Sequence, residues 1–85
     1  MAIDTEALIA DRIEPDPARA GIAEALLRES AVPIWTLVAY WKATDENDAQ
    51  VAHDYQITPT DVAAALAYYR RHKPLIDERI RANRA

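Results

Sequence analysis

Val62, Ala65, Leu66 and Tyr69 recur at spacings of three and four, the period of one helix face. They predict a helix that opens at Thr58-Pro59-Thr60-Asp61 and runs to about His72. Thr58 is placed to cap the first free backbone N–H groups, and Pro59 falls at the first helical position, where its missing N–H costs nothing. Asp61 stands three residues after the cap, close to a capping box. Ahead of this helix, Val51, Ala52 and Tyr55 mark the inward face of a short one over about 48–55, with Asn47 or Asp48 as its cap. Ile57 lies in the corner between the two. Gln56 occupies a position where glycine would be easier if the backbone needs a positive φ. Two short helices around a tight corner, with the small Ala52 where they cross, make a helix-turn-helix.

The pattern upstream is different. Ile34, Trp35, Leu37, Val38, Tyr40 and Trp41 cover most of a helix circumference and leave Thr36, Ala39 and Lys42 as a thin strip. A helix apolar on nearly all sides is a core helix, and Pro33 suits its first turn. Downstream, Pro74 interrupts the chain, and a final helix is expected from about Leu75 to Asn83 with few apolar residues: Leu75, Ile76 and Ile80. The N-terminal third is less periodic. Residues 4–14 fit either a helical turn capped by Asp4 or a short strand, and Pro15 and Pro17 end whatever precedes them. Residues 16–21 form a turn. GIAEALLRES has good local helix propensity, though its length is marginal for an isolated helix. The expected organisation is an N-terminal arm (1–31), a three-helix core (32–72) and a C-terminal helix (73–85).

At 85 residues the chain is one domain with a modest core, and with no Phe the Trp and Tyr residues supply most of the bulk. The absence of Cys excludes disulfides, thiolate metal sites and Cys nucleophiles. No apolar run approaches the roughly 20 residues that span a bilayer. The opening MAIDTEALIADRIEPD lacks the basic-then-apolar order of a signal peptide, so a cytoplasmic protein without a membrane partner is expected. The net charge of −4 is unevenly spread. Residues 1–60 hold four bases against eleven acids, and residues 61–85 hold six bases against three acids. The basic end suits a polyanion or an acidic partner, or is a solvated helix end where Lys and Arg are favoured anyway.

Candidate chemistry is sparse. His53 and Asp54 are adjacent, so they should face different directions on a helix and form no orienting pair. His72, among basic residues, reads as a helix-end polar group. One Gly rules out a glycine-rich phosphate loop. No acid spacing singles out a metal or acid–base pair, so no catalytic residue, metal or cofactor is expected and the chain does not read as an enzyme. Two binding surfaces remain. In a helix-turn-helix the second helix often enters a DNA groove. Here it would present Thr58, Thr60, Asp61, Ala64 and Tyr68, with Gln56 in the corner and Arg70 and Arg71 at the far end. Asp61 would stand where a phosphate should go, and no Arg or Lys comes early enough to read bases. A packing role for the motif is the competing reading. The final helix is the second surface: Leu75, Ile76, Arg79, Ile80 and Arg84 could pack back on the core, pair with a second copy, or dock on a partner.

VPIWTLVAYW (32–41), VAHDYQITPTDVAAALAYYRRH (51–72) and IDERIRAN (76–83) resemble the bacterial domain-of-unknown-function 433 family. Its pattern has an IPVW-like helix start, a short helix ending in Tyr, a Leu-Thr-type corner and a helix ending like Ala65-Leu66-Ala67-Tyr68-Tyr69. The family often has Gly-Thr-Arg before its IPVW, where this chain has Glu29-Ser30-Ala31. The resemblance implies a homeodomain-like fold and a short β-hairpin or extended arm upstream, which competes with the helical reading of residues 22–29. It also implies an antitoxin of a toxin–antitoxin pair beside a PIN-like toxin; operator DNA and a homodimer are further partners expected from the helix-turn-helix and the final helix. No catalytic residues come with it. The expected fold class is therefore mainly α: a homeodomain-like helix-turn-helix bundle with a short hairpin or arm at its N-terminus.

Overall fold

A computed structural model describes residues 4–84. Helix α1 (Thr5–Arg12) is capped by Asp4, whose Oδ1 accepts the Ala7 amide at 3.2 Å. At Ile13 the chain turns extended and becomes strand β1 (Ile13–Glu14). Both expectations for residues 4–14 are thus met in succession, a helix and then a strand. Arg28 donates to the carbonyls of Ala10, Asp11 and Ile13, each at 3.3 Å, so a cation satisfies the open end of α1.

Residues 22–29 are not a helix. A single 3₁₀ turn (Ile22–Glu24) leads into strand β2 (Leu26–Leu27), which pairs antiparallel with β1 in the register Ile13↔Leu27 and Glu14↔Leu26. The helix formers in this stretch are overruled by hydrogen bonds from both sides. Arg28 donates its amide to Arg12, Leu27 donates to Val32, and Ile34 donates back to Ala25 at 2.9 Å. Gly21, at φ 118°, supplies the backbone turn into this segment.

Helix α2 (Ile34–Ala43) is the core helix that its pattern predicts: Ile34, Leu37 and Val38 are fully buried. Trp41 is buried too, and its indole N–H donates to Asp48 at 2.7 Å, so no donor is stranded. Helix α3 (Asp48–Tyr55) is capped by Asn47 through the Gln50 amide at 3.0 Å. Its end is set by Gln56, which adopts the left-handed conformation at φ 56°, ψ 46°. Helix α4 (Pro59–Arg71) follows, with Thr58 Oγ accepting the Asp61 amide at 3.1 Å. Helix α5 (Lys73–Arg84) begins two residues earlier than Leu75. His72 ends α4, and its carbonyl accepts the amides of Leu75 and Ile76, so Pro74 sits in a first turn that needs no N–H from it.

Helix α4 is central: α1, α2 and α3 all pack on it, while α5 lies mainly on α2 and the 3₁₀ turn. One apolar cluster joins Ile13, Ala25 and Leu27 from the N-terminal segment, Leu37, Val51 and Leu66 from the middle, and Ile76 and Ile80 from α5. The fold is mainly helical with a two-strand hairpin, as the pattern and the resemblance led one to expect.

Candidate functional site

The helix-turn-helix offers the first candidate surface. Gln56, Thr58 and Thr60 are exposed at the corner, as expected, and Arg70 is exposed with no ion-pair partner among the described residues. The rest of the expected DNA face is differently placed. Ala64 is 0% exposed, because α1 lies along α4 and covers the side that the helical period alone leaves open. Asp61 is also turned inward, at 7% exposure, and its Oδ1 accepts from Arg12 Nη1 at 2.9 Å. That hydrogen bond raises the pKa of the Arg12 guanidinium above its ordinary value. Asp61 is therefore no free carboxylate at the helix start. The half-buried Tyr68 donates its hydroxyl to the Ile22 carbonyl at 2.8 Å, and Arg71 pairs with Glu6 of α1. What α4 leaves open is a strip of Pro59, Thr60, Ala63, Arg70 and Arg71. Thr60 shares the wall of an open recess with Asp4, the cap of α1, and Asp11 of its last turn.

The final helix packs back on the core, one of the three outcomes expected for it. Ile76 and Ile80, also candidates for a partner seam, are buried there instead. Arg79 is half-buried and engaged within the chain: its Nε donates to Glu24 at 2.6 Å, and its guanidinium lies 4.2 Å from the Trp35 ring. Of the residues expected to contact a partner, Leu75 and Arg84 remain exposed.

His53 and Asp54 do meet, contrary to expectation, with Nδ1 and Oδ1 3.2 Å apart. The pairing arises because Asp54 is held from its other side. Tyr40 of α2 donates its hydroxyl to Oδ2, and Gln50, one turn earlier on α3, donates at 3.0 Å. The Tyr40 hydrogen bond, then those of Gln50 and His53, lower the Asp54 pKa to about 2. Tyr55 stacks on Tyr40 at 5.3 Å, which completes a clasp between α2 and α3. The His53 ring is largely in water, so the cluster fastens two helices rather than enclosing a reaction space. Because Asp54 is held more acidic when folded than when unfolded, its stabilisation is fully present above the ordinary carboxylate pKa of 3.8 and is lost as pH falls towards 2. In an NMR titration Asp54 is expected to titrate near pH 2, and in Tyr40→Phe its pKa should move up towards 3.8. An unchanged Asp54 pKa in that variant would remove Tyr40 as the main cause.

An apolar recess is the feature that the sequence does not disclose. It has a volume of about 420 Å³, and its walls include Ile9, Ala10, Ile13, Ile22, Ala25 and Tyr68. It forms where α1 with β1, and the 3₁₀ turn, meet α4, so its wall comes from three separate stretches of chain. Nothing in their local patterns separates these residues from ordinary core positions. Among the described residues there is no group of three or more His, Cys, Asp or Glu placed to hold a metal, and no helix is long and apolar enough to cross a membrane.

Fold and surfaces together define a small helical domain built on a helix-turn-helix whose second helix is largely enclosed. A family model described as "Protein of unknown function (DUF433)" matches residues 13–69, and the chain belongs to that family. Helix α1 precedes the matched span and α5 follows it. Comparison with curated proteins and with solved structures gives no match.

Proposed function

We propose that this protein is a small, non-enzymatic interaction protein of the antitoxin type, which neutralises a PIN-like toxin by docking on it. In this reading the helix-turn-helix is a packing scaffold first and a DNA reader at most weakly. The observation that carries it is the way polar groups of α4 are used. Asp61, Tyr68 and Arg71 are all engaged inside the chain, to Arg12, Ile22 and Glu6. A reader of base edges needs such groups free. Support for a protein partner comes from the exposed Ile22, which lines an open apolar recess, since exposed apolar surface of this kind marks interaction sites. The toxin as partner and the cytoplasm as compartment come from the family resemblance and the chain's composition.

Co-expression with a PIN-like nuclease encoded beside its gene, where sequencing of the locus finds one, tests the proposal. The expected result is rescue of growth and co-purification of the two proteins; growth arrest despite full expression, with no co-purification, would sink it. Gel shifts on the upstream DNA test the scaffold half. Binding should be weak, fall steeply between about 50 and 200 mM salt, and weaken further in Arg70→Ala. Tight, sequence-specific binding that persists at the higher salt would overturn the scaffold reading and make operator DNA a principal ligand.

A further inference from the structure

Helix α1 lies along α4, the helix that a helix-turn-helix turns to a nucleic acid. Its hold there is largely polar. Arg12 reaches Asp61 at 2.9 Å in the first turn of α4, and Glu6 pairs with Arg71 at its last residue. Asp4 and Asp11 share a recess with Thr60. Residues 4–12 hold Asp4, Glu6 and Asp11 against Arg12, a net charge of 1 − 3 = −2. An acidic segment therefore runs beside α4 from Thr60 to Arg71, along the path of a phosphate backbone. The apolar part of the contact is thin. No residue of α1 is fully buried, and Leu8 and Ile9 are half-buried. Its eight residues are too few to hold a helix in water without such support. The Glu6 side chain is 78% exposed, and salt screens a pair of this kind. Elements held in this way are where local opening begins.

We propose that α1 is an autoinhibitory cover on α4: its carboxylates stand in for the phosphates of a DNA duplex, and its release uncovers a flank that binds one. The inference rests on the reading of α4 as a weak DNA reader and names what keeps it weak. The hinge is Ile13, where the chain turns extended, so β1 stays paired with β2 as α1 leaves. Release frees Arg71 beside the exposed Arg70 and carries three acids away from both. It also frees Arg28 from the carbonyls of Ala10 and Asp11. Arg28 lines the same recess as Arg12 and Asp61, so a base remains beside Asp61 once Arg12 has gone. Such a cover lowers the apparent affinity by the fraction of molecules in which it is open and leaves the flank's own affinity unchanged.

Fluorescence anisotropy of a labelled DNA duplex of about 30 base pairs, at about 50 mM salt, tests the inference on the full chain. Ala10→Pro breaks α1 at an exposed position and changes no charge. It should bind the duplex at least about tenfold more tightly than wild type. The gain should vanish in Ala10→Pro/Arg71→Ala. Glu6→Gln should gain more than Glu46→Gln, which makes the same change of charge on the exposed loop after α2. In native-state hydrogen exchange the α1 amides should exchange ahead of those of α4, and α4 should stay protected in Ala10→Pro. No gain in Ala10→Pro, a gain that survives the loss of Arg71, equal effects of the two Glu variants, or α4 losing its protection together with α1 would each overturn the proposal. A wild type that captures the toxin while Ala10→Pro gains no DNA affinity overturns the cover and leaves the antitoxin reading in place. The expected gain in a protein that captures no toxin supports the cover and removes only the antitoxin assignment.

Discussion

Leu37→Ala is expected to lower the stability of this protein by about 3 kcal/mol and its Tm by roughly 15 °C. Leu37 is fully buried on α2, where α4 packs on one side and α5 on another. Truncation removes transfer free energy and leaves a cavity that three helices cannot close by a small shift. A domain of 85 residues has about 5 to 10 kcal/mol in hand, so a loss of this size leaves little margin at growth temperature. Urea denaturation should show a lower midpoint with an unchanged slope, since the surface exposed on unfolding hardly differs. Leu37→Met, which keeps the volume, should cost less than about 1.5 kcal/mol. A Leu37→Ala change below about 1 kcal/mol would mean that α2 is not the centre of the core.

The central role of α2 is legible because an all-round apolar helix has nowhere to go but inside. The same holds for local signals whose physics stays within a few residues. Asn47 and Thr58 cap the helices that follow them, and Gln56 takes the left-handed corner. These depend on backbone geometry within one turn, so no distant element can alter them. Placement of the outer residues of α4 depends on a distant element. The period correctly marks Val62, Ala65, Leu66 and Tyr69 as the inner stripe. It is silent about what covers the flank of that stripe. Ala64 looks outward until α1, some fifty residues earlier in the chain, lies across it. Asp61 looks like an exposed helix-start acid until Arg12 arrives from the same helix.

Residues 22–29 illustrate a second limit. Their Ala, Leu and Glu favour a helix by a few tenths of a kcal/mol each. A strand there can use hydrogen bonds from β1 on one side and from residues 32–34 on the other. Tertiary partners of this kind override propensity, and the upstream part of the family resemblance pointed that way. The recess beside Ile22 depends on the same decision. With residues 22–29 helical there would be no hairpin, and no hollow between it and α1. The most useful surface feature of the molecule was therefore the least readable one, since it exists only once three stretches of chain have been placed.

Arg79→Ala should cost about 2 kcal/mol, although its sequence context assigns it to an exposed basic surface. Its guanidinium is held by Glu24 at 2.6 Å and lies 4.2 Å from the Trp35 ring, and the paired side chains are only 22% and 17% exposed. Breaking a fully buried pair costs about 3 to 5 kcal/mol, and the residual contact with water here reduces that. The face-on contact with Trp35 adds about 1 kcal/mol, lost at the same time. Arg79→Lys should recover less than half of the loss, because an ammonium cannot meet a carboxylate and cover an indole together. A double-mutant cycle with Glu24→Gln should return a coupling of about 1 kcal/mol or more, and Trp35 should become more solvent-exposed by fluorescence quenching. A loss within about 0.5 kcal/mol, no coupling and an unmoved Trp35 signal would return Arg79 to the surface.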